Sequence, residues 1–276
     1  MSKSSTSSGP DGERPLMNDA HSAQPPIMRC SGPNGLTLAF RHAEGAGPLI
    51  VFLPGYMSDM AGSKAEAVLH WAVEHGRACL LLDYSGCGSS SGRFADGTLS
   101  RWREEVLHLI AHAGAGTADR PVLLIGSSMG GWLMLLVARA LTERQGGAAL
   151  AGMIGIAAAP DFTRWGYDEG QRAALASGKA VYEDNPYGPE PTPTHPGFFA
   201  DAEEQLLLEG PLAITAPVRL LHGQRDADVP WETSLRLAGT LEGNDVRTVL
   251  VKDGDHRLSR EQDIKLLLSA LEELLH

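Results

Sequence analysis

The sequence predicts an α/β domain built on a mostly parallel central sheet with helices on both faces. Three observations carry that reading. From about residue 27 onward, short aliphatic runs alternate with amphipathic stretches of helical period. The aliphatic runs are continuous rather than interrupted by polar residues at every second position, which is how strands buried on both faces look. A chain of 276 residues with 43% hydrophobic content can also fill a core of that size.

Taken in order, residues 1–26 (MSKSSTSSGPDGERPLMNDAHSAQPP) are Ser-rich and lack an apolar segment, so they predict a disordered tail rather than a secretory signal. Asp11, Glu13 and Asp19 argue against a mitochondrial transit peptide. The three cysteines, Cys30, Cys79 and Cys87, are odd in number and lack CxxC spacing, which fits a reducing compartment. A cytoplasmic location is therefore expected. Cys79 lies in an apolar run and reads as a core residue.

Residues 27–276 form the expected folded domain. IMRCSG and LTLAFRH, separated by Pro33, Asn34 and Gly35, predict a hairpin. LIVFLPG (49–55) is a buried strand ended by Pro54 and Gly55, and SKAEAVLHWAVEH then places Ala65, Val68, Leu69 and Ala72 on one helix face. ACLLLDY (78–84) and PVLLIG (121–126) are further strands. Between them a helix carries Leu99, Trp102, Val106, Leu109 and Ile110. GGWLMLLVARALTERQGG is a helix closed by glycines. LAGMIGIAA (150–158), VRLLHG (218–223) and VRTVLVK (246–252) complete the strands. Residues 161–210 break the rhythm with prolines and aromatics and no strand pattern, and predict a lid insertion.

A formal net charge of −11 argues against the basic face that a nucleic acid or an anionic membrane surface would require. No apolar run approaches the roughly 18 residues of a transmembrane span.

The chemistry concentrates at Gly126-Ser127-Ser128-Met129-Gly130, a G-x-S-x-G match at a strand-to-helix junction. Only Ser128 can be its centre, because the alternative register would need glycine where Ile125 and Met129 stand. A glycine-rich turn with a capping serine has the same five letters, so the partners decide. A serine hydroxyl needs a base and an orienting acid, which in this topology follow in the order acid, then histidine. Asp226 and Asp228 follow one strand, and His256 follows the last. Asp226 is preferred as the nearer to its strand end. His222 reads as a strand-end residue packing the loop. The oxyanion of an acyl-transfer intermediate would be met by the backbone N–H groups of Met129 and of Tyr56, which follows Gly55. SGCGSSSG (85–92) lacks the lysine and spacing of a nucleotide loop, and neither DGD (253–255) nor any HExxH motif supplies a metal site, so no cofactor is expected.

FLPGYMSDMAGSKA, DYSGCGSSSG, GSSMGGWLM, HGQRDADVP and DGDHRLS together resemble the blocks of the α/β-hydrolase superfamily, and within it a mitochondrial palmitoyl-protein thioesterase (acyl-glucuronide esterase) family. The resemblance implies an α/β-hydrolase fold with a lid and a serine thioesterase or carboxylesterase. Its substrates would be acyl esters or thioesters, S-acylated proteins among them. Ser128, Asp226 and His256 match that family's catalytic triad, and Tyr56 and Met129 its oxyanion donors. The tail departs from the family in not being Arg-rich, so its mitochondrial address is not carried over. A serine aminopeptidase of the same fold and a non-catalytic binding scaffold are the rival readings; a scaffold would usually have lost a triad member, and here all three are present.

Overall fold

The chain is described by a computed structural model over residues 24–33, 35–185 and 188–276. Most of the expected tail therefore lies outside the described residues. Strands β1 (Met28–Ser31) and β2 (Thr37–Ala43) pair antiparallel in the predicted hairpin, with Ser31 opposite Thr37 at its closed end. The predicted alternation follows: β3 (Ala46–Leu53), α1 (Ser63–Glu74), β4 (Arg77–Leu82), α2 (Leu99–His112), β5 (Val122–Ser127), α3 (Met129–Gln145) and β6 (Leu150–Ile156). The C-terminal part supplies β9 (Val218–Gly223), α7 (Glu232–Thr240), β10 (Val246–Val251) and α8 (Glu261–Leu275), after the elements of the 161–210 segment given below.

Eight strands make one sheet in the order β1-β2-β4-β3-β5-β6-β9-β10. Every pairing from β4 onward is parallel, and only the β1/β2 and β2/β4 pairs are antiparallel. Side chains alternate between two cores. Ile50, Phe52, Leu123, Ile125, Ile154 and Ile156 face α1 and α8, whereas Leu49, Val51, Leu53, Val122 and Leu124 face α2 and α3. That double burial is the physical reason these strands read as unbroken aliphatic runs. Cys79 is fully buried, as its run implies.

Helix α3 is the least exposed. Met129 through Ala138 are all buried, so it is covered on its outer side as well as by the sheet. The cover is the 161–210 segment, where Trp132 Nε1 donates to the Gln205 carbonyl at 3.0 Å and the Trp132 ring meets Phe162 edge-on at 5.5 Å. This segment contains α4 (Phe162–Trp165), α5 (Glu169–Ala176), α6 (Pro196–Glu203) and a small hairpin, β7 (Val181–Glu183) with β8 (Thr192–Thr194). The hairpin corrects the expectation that no strand lies here. Three-residue strands containing Pro193 and Glu183 are too short to show a period and carry little β propensity.

The segment is closed at its root by buried carboxylates. Asp161, buried and held at φ 58°, accepts from the Leu207 and Leu208 amides, each at 2.8 Å. This carboxylate ties together the two ends of the excursion, and Glu203 adds a second tie by accepting from Thr163 Oγ1 at 2.7 Å.

Candidate active site

The C-terminal ends of the parallel strands β3, β5, β9 and β10 converge on one cavity of about 670 Å³. At its floor the chain passes from β5 into α3 through Ser128, whose backbone sits at φ 55° and ψ −123°. This is a costly conformation for a residue with a side chain, on the order of 1 to 3 kcal/mol. It is held by three backbone bonds: Ser128 N–H to the Ile156 carbonyl at 2.9 Å, and the Ser128 carbonyl accepting from Gly131 at 2.8 Å and Ala159 at 3.1 Å.

The surrounding glycines are a packing requirement. A Cβ on Gly126 would stand 2.4 Å from the Gly130 carbonyl oxygen, and one on Gly130 would stand 2.2 Å from that of Leu53. The turn is sharp because strand, helix and the β3 loop meet with no side chain between them. Ser127 continues β5, opposite Ile156, and is the spacer beside the turn.

His256, from the loop after β10, lies over the serine with Nε2 3.1 Å from Ser128 Oγ and Nδ1 2.8 Å from Asp226 Oδ2. Because the carboxylate can only accept, Nδ1 carries the proton and Nε2 is left to accept from the hydroxyl. Asp226 is itself fixed at all sides. Its Oδ1 accepts the amides of Asp228 at 2.9 Å and Val229 at 2.8 Å, and its Oδ2 also faces His222 Nε2 at 3.1 Å. The structure thus brings Asp226, not Asp228, to the histidine. Asp228 is exposed and contributes its main-chain N–H.

Burial alone would raise the Asp226 carboxyl. The hydrogen bonds from His222 and His256, the charge of His256 and the Val229 amide outweigh it and hold the group well below the usual carboxylate range. An ionised, shielded carboxylate is what a histidine needs in order to become cationic transiently.

The two predicted amide donors flank Ser128. Met129 is the first residue of α3, so its N–H has no intrahelical acceptor. Tyr56 follows Gly55, where a Cβ would come within 3.4 Å of Ser128 Cβ, so the β3 loop passes directly beside the serine. The Tyr56 side chain, for which the sequence carries no signal, reaches the 161–210 segment. Its hydroxyl donates to the Pro193 carbonyl at 3.0 Å, and its ring meets Phe94 at 4.9 Å and Phe198 at 5.1 Å edge-on. Burial pushes its phenol far above the ordinary value.

Phe162 and Trp165 supply apolar wall, while Glu183 and Lys64 bring charge to the same cavity. Lys64 Nζ donates to the Arg257 carbonyl and to Ser259 Oγ, and burial pushes its ammonium down to about 8. Lys64 stands outside the buried face of α1 formed by Ala65, Val68, Leu69 and Ala72. Among the described residues, Asp226, Asp228 and His256 bring potential metal-ligating atoms within 4.8 Å of one another. Both Asp226 oxygens are already taken by N–H donors, so that donor set suits an ion-paired acid better than a cation site. Among the described residues no helix is long and apolar enough to cross a membrane.

Comparison with known proteins places these features in a family. The alpha/beta hydrolase family model matches residues 50–268. The mouse palmitoyl-protein thioesterase ABHD10, mitochondrial, is 39% identical over 246 residues, covering 86% of this chain and 78% of that protein. Its human counterpart is 37% identical over 242 residues, covering 86% and 76%. Among solved structures, a putative hydrolase from Agrobacterium vitis S4 superposes with a TM-score of 0.83 at 35% identity, over 91% of this chain and 100% of that one. Alpha/beta hydrolase domain-containing protein 10 from mouse gives 0.80 at 34%, over 90% and 98%.

These relatives also correct one expectation. Mouse, human, orangutan, rat and cattle ABHD10 are all mitochondrial by name, which overturns the cytoplasmic location read from the tail. Composition misleads here: a shortage of arginine and three acidic residues in the tail, with three cysteines lacking CxxC spacing, weigh less than similarity over most of the chain. On the strength of the family match and of relatives this similar, the chain belongs to the alpha/beta hydrolase family.

Proposed function

We propose that this hydrolase cleaves acyl esters and thioesters, S-acylated proteins among them, through an acyl-enzyme on Ser128. The observation that carries the proposal is the continuous hydrogen-bonded chain from Ser128 Oγ through His256 to Asp226 at the cavity floor. The relatives named as palmitoyl-protein thioesterases support the substrate class.

In this mechanism Ser128 Oγ attacks the acyl carbonyl carbon while His256 Nε2 takes its proton. The carbonyl oxygen becomes an oxyanion between the Tyr56 and Met129 amides, and losing one such donor typically costs about 100- to 1000-fold. Collapse of the intermediate breaks the bond to the thiol or alcohol, which leaves with the proton from His256. Water then adds to the acyl-enzyme with His256 again as base, and the carboxylic acid is released. Asp226 holds the imidazole in the Nδ1–H tautomer and offsets its transient charge.

Residues 161–210 act as the lid in this reading, with Phe162 and Trp165 offering the acyl chain an apolar wall. Each methylene moved from water into such a wall contributes about 0.8 kcal/mol. The expected result with acyl thioesters of increasing length, from acetyl to palmitoyl, is therefore a kcat/KM that climbs by up to about fourfold per methylene until the wall is filled. A flat profile would remove the acyl-pocket part of the proposal.

A further inference from the structure

The strand-end His222 is fully buried, and every polar atom of its ring is engaged. Nε2 lies 3.1 Å from Asp226 Oδ2 and 3.1 Å from the Val229 carbonyl oxygen. Both are pure acceptors, so Nε2 carries the proton. Nδ1 lies 2.7 Å from Ser234 Oγ of α7 and accepts the hydroxyl proton. A core histidine needs only one satisfied partner per nitrogen, and the Val229 carbonyl alone would supply that for Nε2. The ring instead shares its proton with the oxygen that His256 uses, so Asp226 Oδ2 stands between two imidazoles.

From this geometry we infer that His222 is a positioning residue for the hydrolytic reaction, orienting Asp226 so that Oδ2 points at His256. The inference rests on the reading of Ser128, His256 and Asp226 as the catalytic chain. Without His222 the two amides still fix Oδ1, but Oδ2 is held by His256 alone, the very ring it has to orient. The path from strand to site is short: β9 ends at Gly223, and only three residues stand between His222 and Asp226. Ser234 of α7 complements that tautomer by donating to Nδ1, and so anchors the ring from the side opposite the acid. The groups facing Asp226 are His222 from β9, His256 from the loop after β10, and Asp228 of its own loop. No other ionisable side chain hydrogen-bonds to it among the described residues.

Two amide substitutions separate positioning from packing. In His222→Gln the side-chain nitrogen can reach the place of Nε2 and keep a donor for Asp226. In His222→Asn the shorter amide reaches only the place of Nδ1 and leaves Oδ2 without that donor. The expected result for His222→Asn, assayed on an acyl thioester, is a fall in kcat of about tenfold or more with KM unchanged. The acid limb of its kcat/KM profile moves to lower pH, because a carboxylate no longer aimed at His256 stabilises the protonated imidazole less. His222→Gln recovers kcat to within about threefold of wild type, in line with the modest cost of a retained hydrogen bond. Thermal unfolding of both variants shows that the folded enzyme is being compared. Equal kcat in the two variants, or a His222→Asn enzyme with wild-type kcat and acid limb, overturns the inference. Adding His222→Asn to Asp226→Ala distinguishes the two levels. If Asp226→Ala alone is fully active, the catalytic chain itself is wrong. If Asp226→Ala is impaired and His222→Asn lowers kcat by the same factor with or without it, the chain stands and the positioning role falls.

Discussion

Ser128→Ala lowers kcat/KM for acyl thioesters and simple aryl esters alike by about 10⁵-fold or more, and abolishes covalent labelling by a fluorophosphonate probe. The expected size follows from what the hydroxyl does. In the proposed mechanism no acyl-enzyme forms without it, and what remains is binding and oxyanion stabilisation of direct attack by water, typically about 10³ to 10⁴ over the uncatalysed rate. The variant is also a clean one. At φ 55° alanine bears the same backbone cost as serine, and the three bonds that hold the turn are all main-chain. Unfolding temperature is therefore expected to stay near wild type, which turns a loss of activity into a statement about chemistry. Hydrolysis within about tenfold of wild type, or labelling that persists, would reject Ser128 as nucleophile.

The second large effect is that of Asp226→Asn, with kcat lowered by about 10⁴-fold near neutral pH and little change in KM. The carboxylate accepts four N–H groups, two amides on Oδ1 and two imidazoles on Oδ2. An asparagine has only one acceptor oxygen. With its oxygen toward the Asp228 and Val229 amides, its NH₂ faces His256 and drives the imidazole into the Nε2–H tautomer, which cannot accept the Ser128 proton. Asp228→Asn is the control, since Asp228 meets the site through its main-chain N–H, and it should fall far less. Steady-state kinetics on the two variants decides between the neighbouring acids. A larger loss in Asp228→Asn would reverse the assignment.

The parallel sheet was legible because its strands are sandwiched between two helix layers and so had to be aliphatic without interruption, as in LIVFL and VLLIG. The turn at Ser128 was legible because its geometry forbids Cβ atoms at Gly126 and Gly130, a constraint that leaves a mark in the sequence itself. Hydrogen-bonded relations across the fold leave no such mark. The hairpin of Val181–Glu183 with Thr192–Thr194 is held by its surroundings rather than by a pattern. The reach of Tyr56 to Pro193 spans 137 positions and depends on where a loop happens to return. His222 did carry a signal, a histidine four residues before the acid, but an apolar strand end offers a blander reason for a buried ring. Composition failed for location, where a short tail was weighed without the rest of the chain.

The carboxylate of Asp161 gives the segment it closes the character of a replaceable cassette. Because its two ends are fastened to each other at Leu207 and Leu208, the stretch between them can be exchanged without redrawing the sheet beneath it. A graft from a relative has to preserve the aspartate and its paired amides at the root, and has to offer the Tyr56 hydroxyl an acceptor where Pro193 now stands. Beyond those fastenings and the contacts to Trp132, Trp102, the Tyr56 ring, the Ser100 amide and Arg236, its sequence can vary with the acyl group that the proposed function would house. One scaffold can in this way serve different substrates by trading a single contiguous piece of chain.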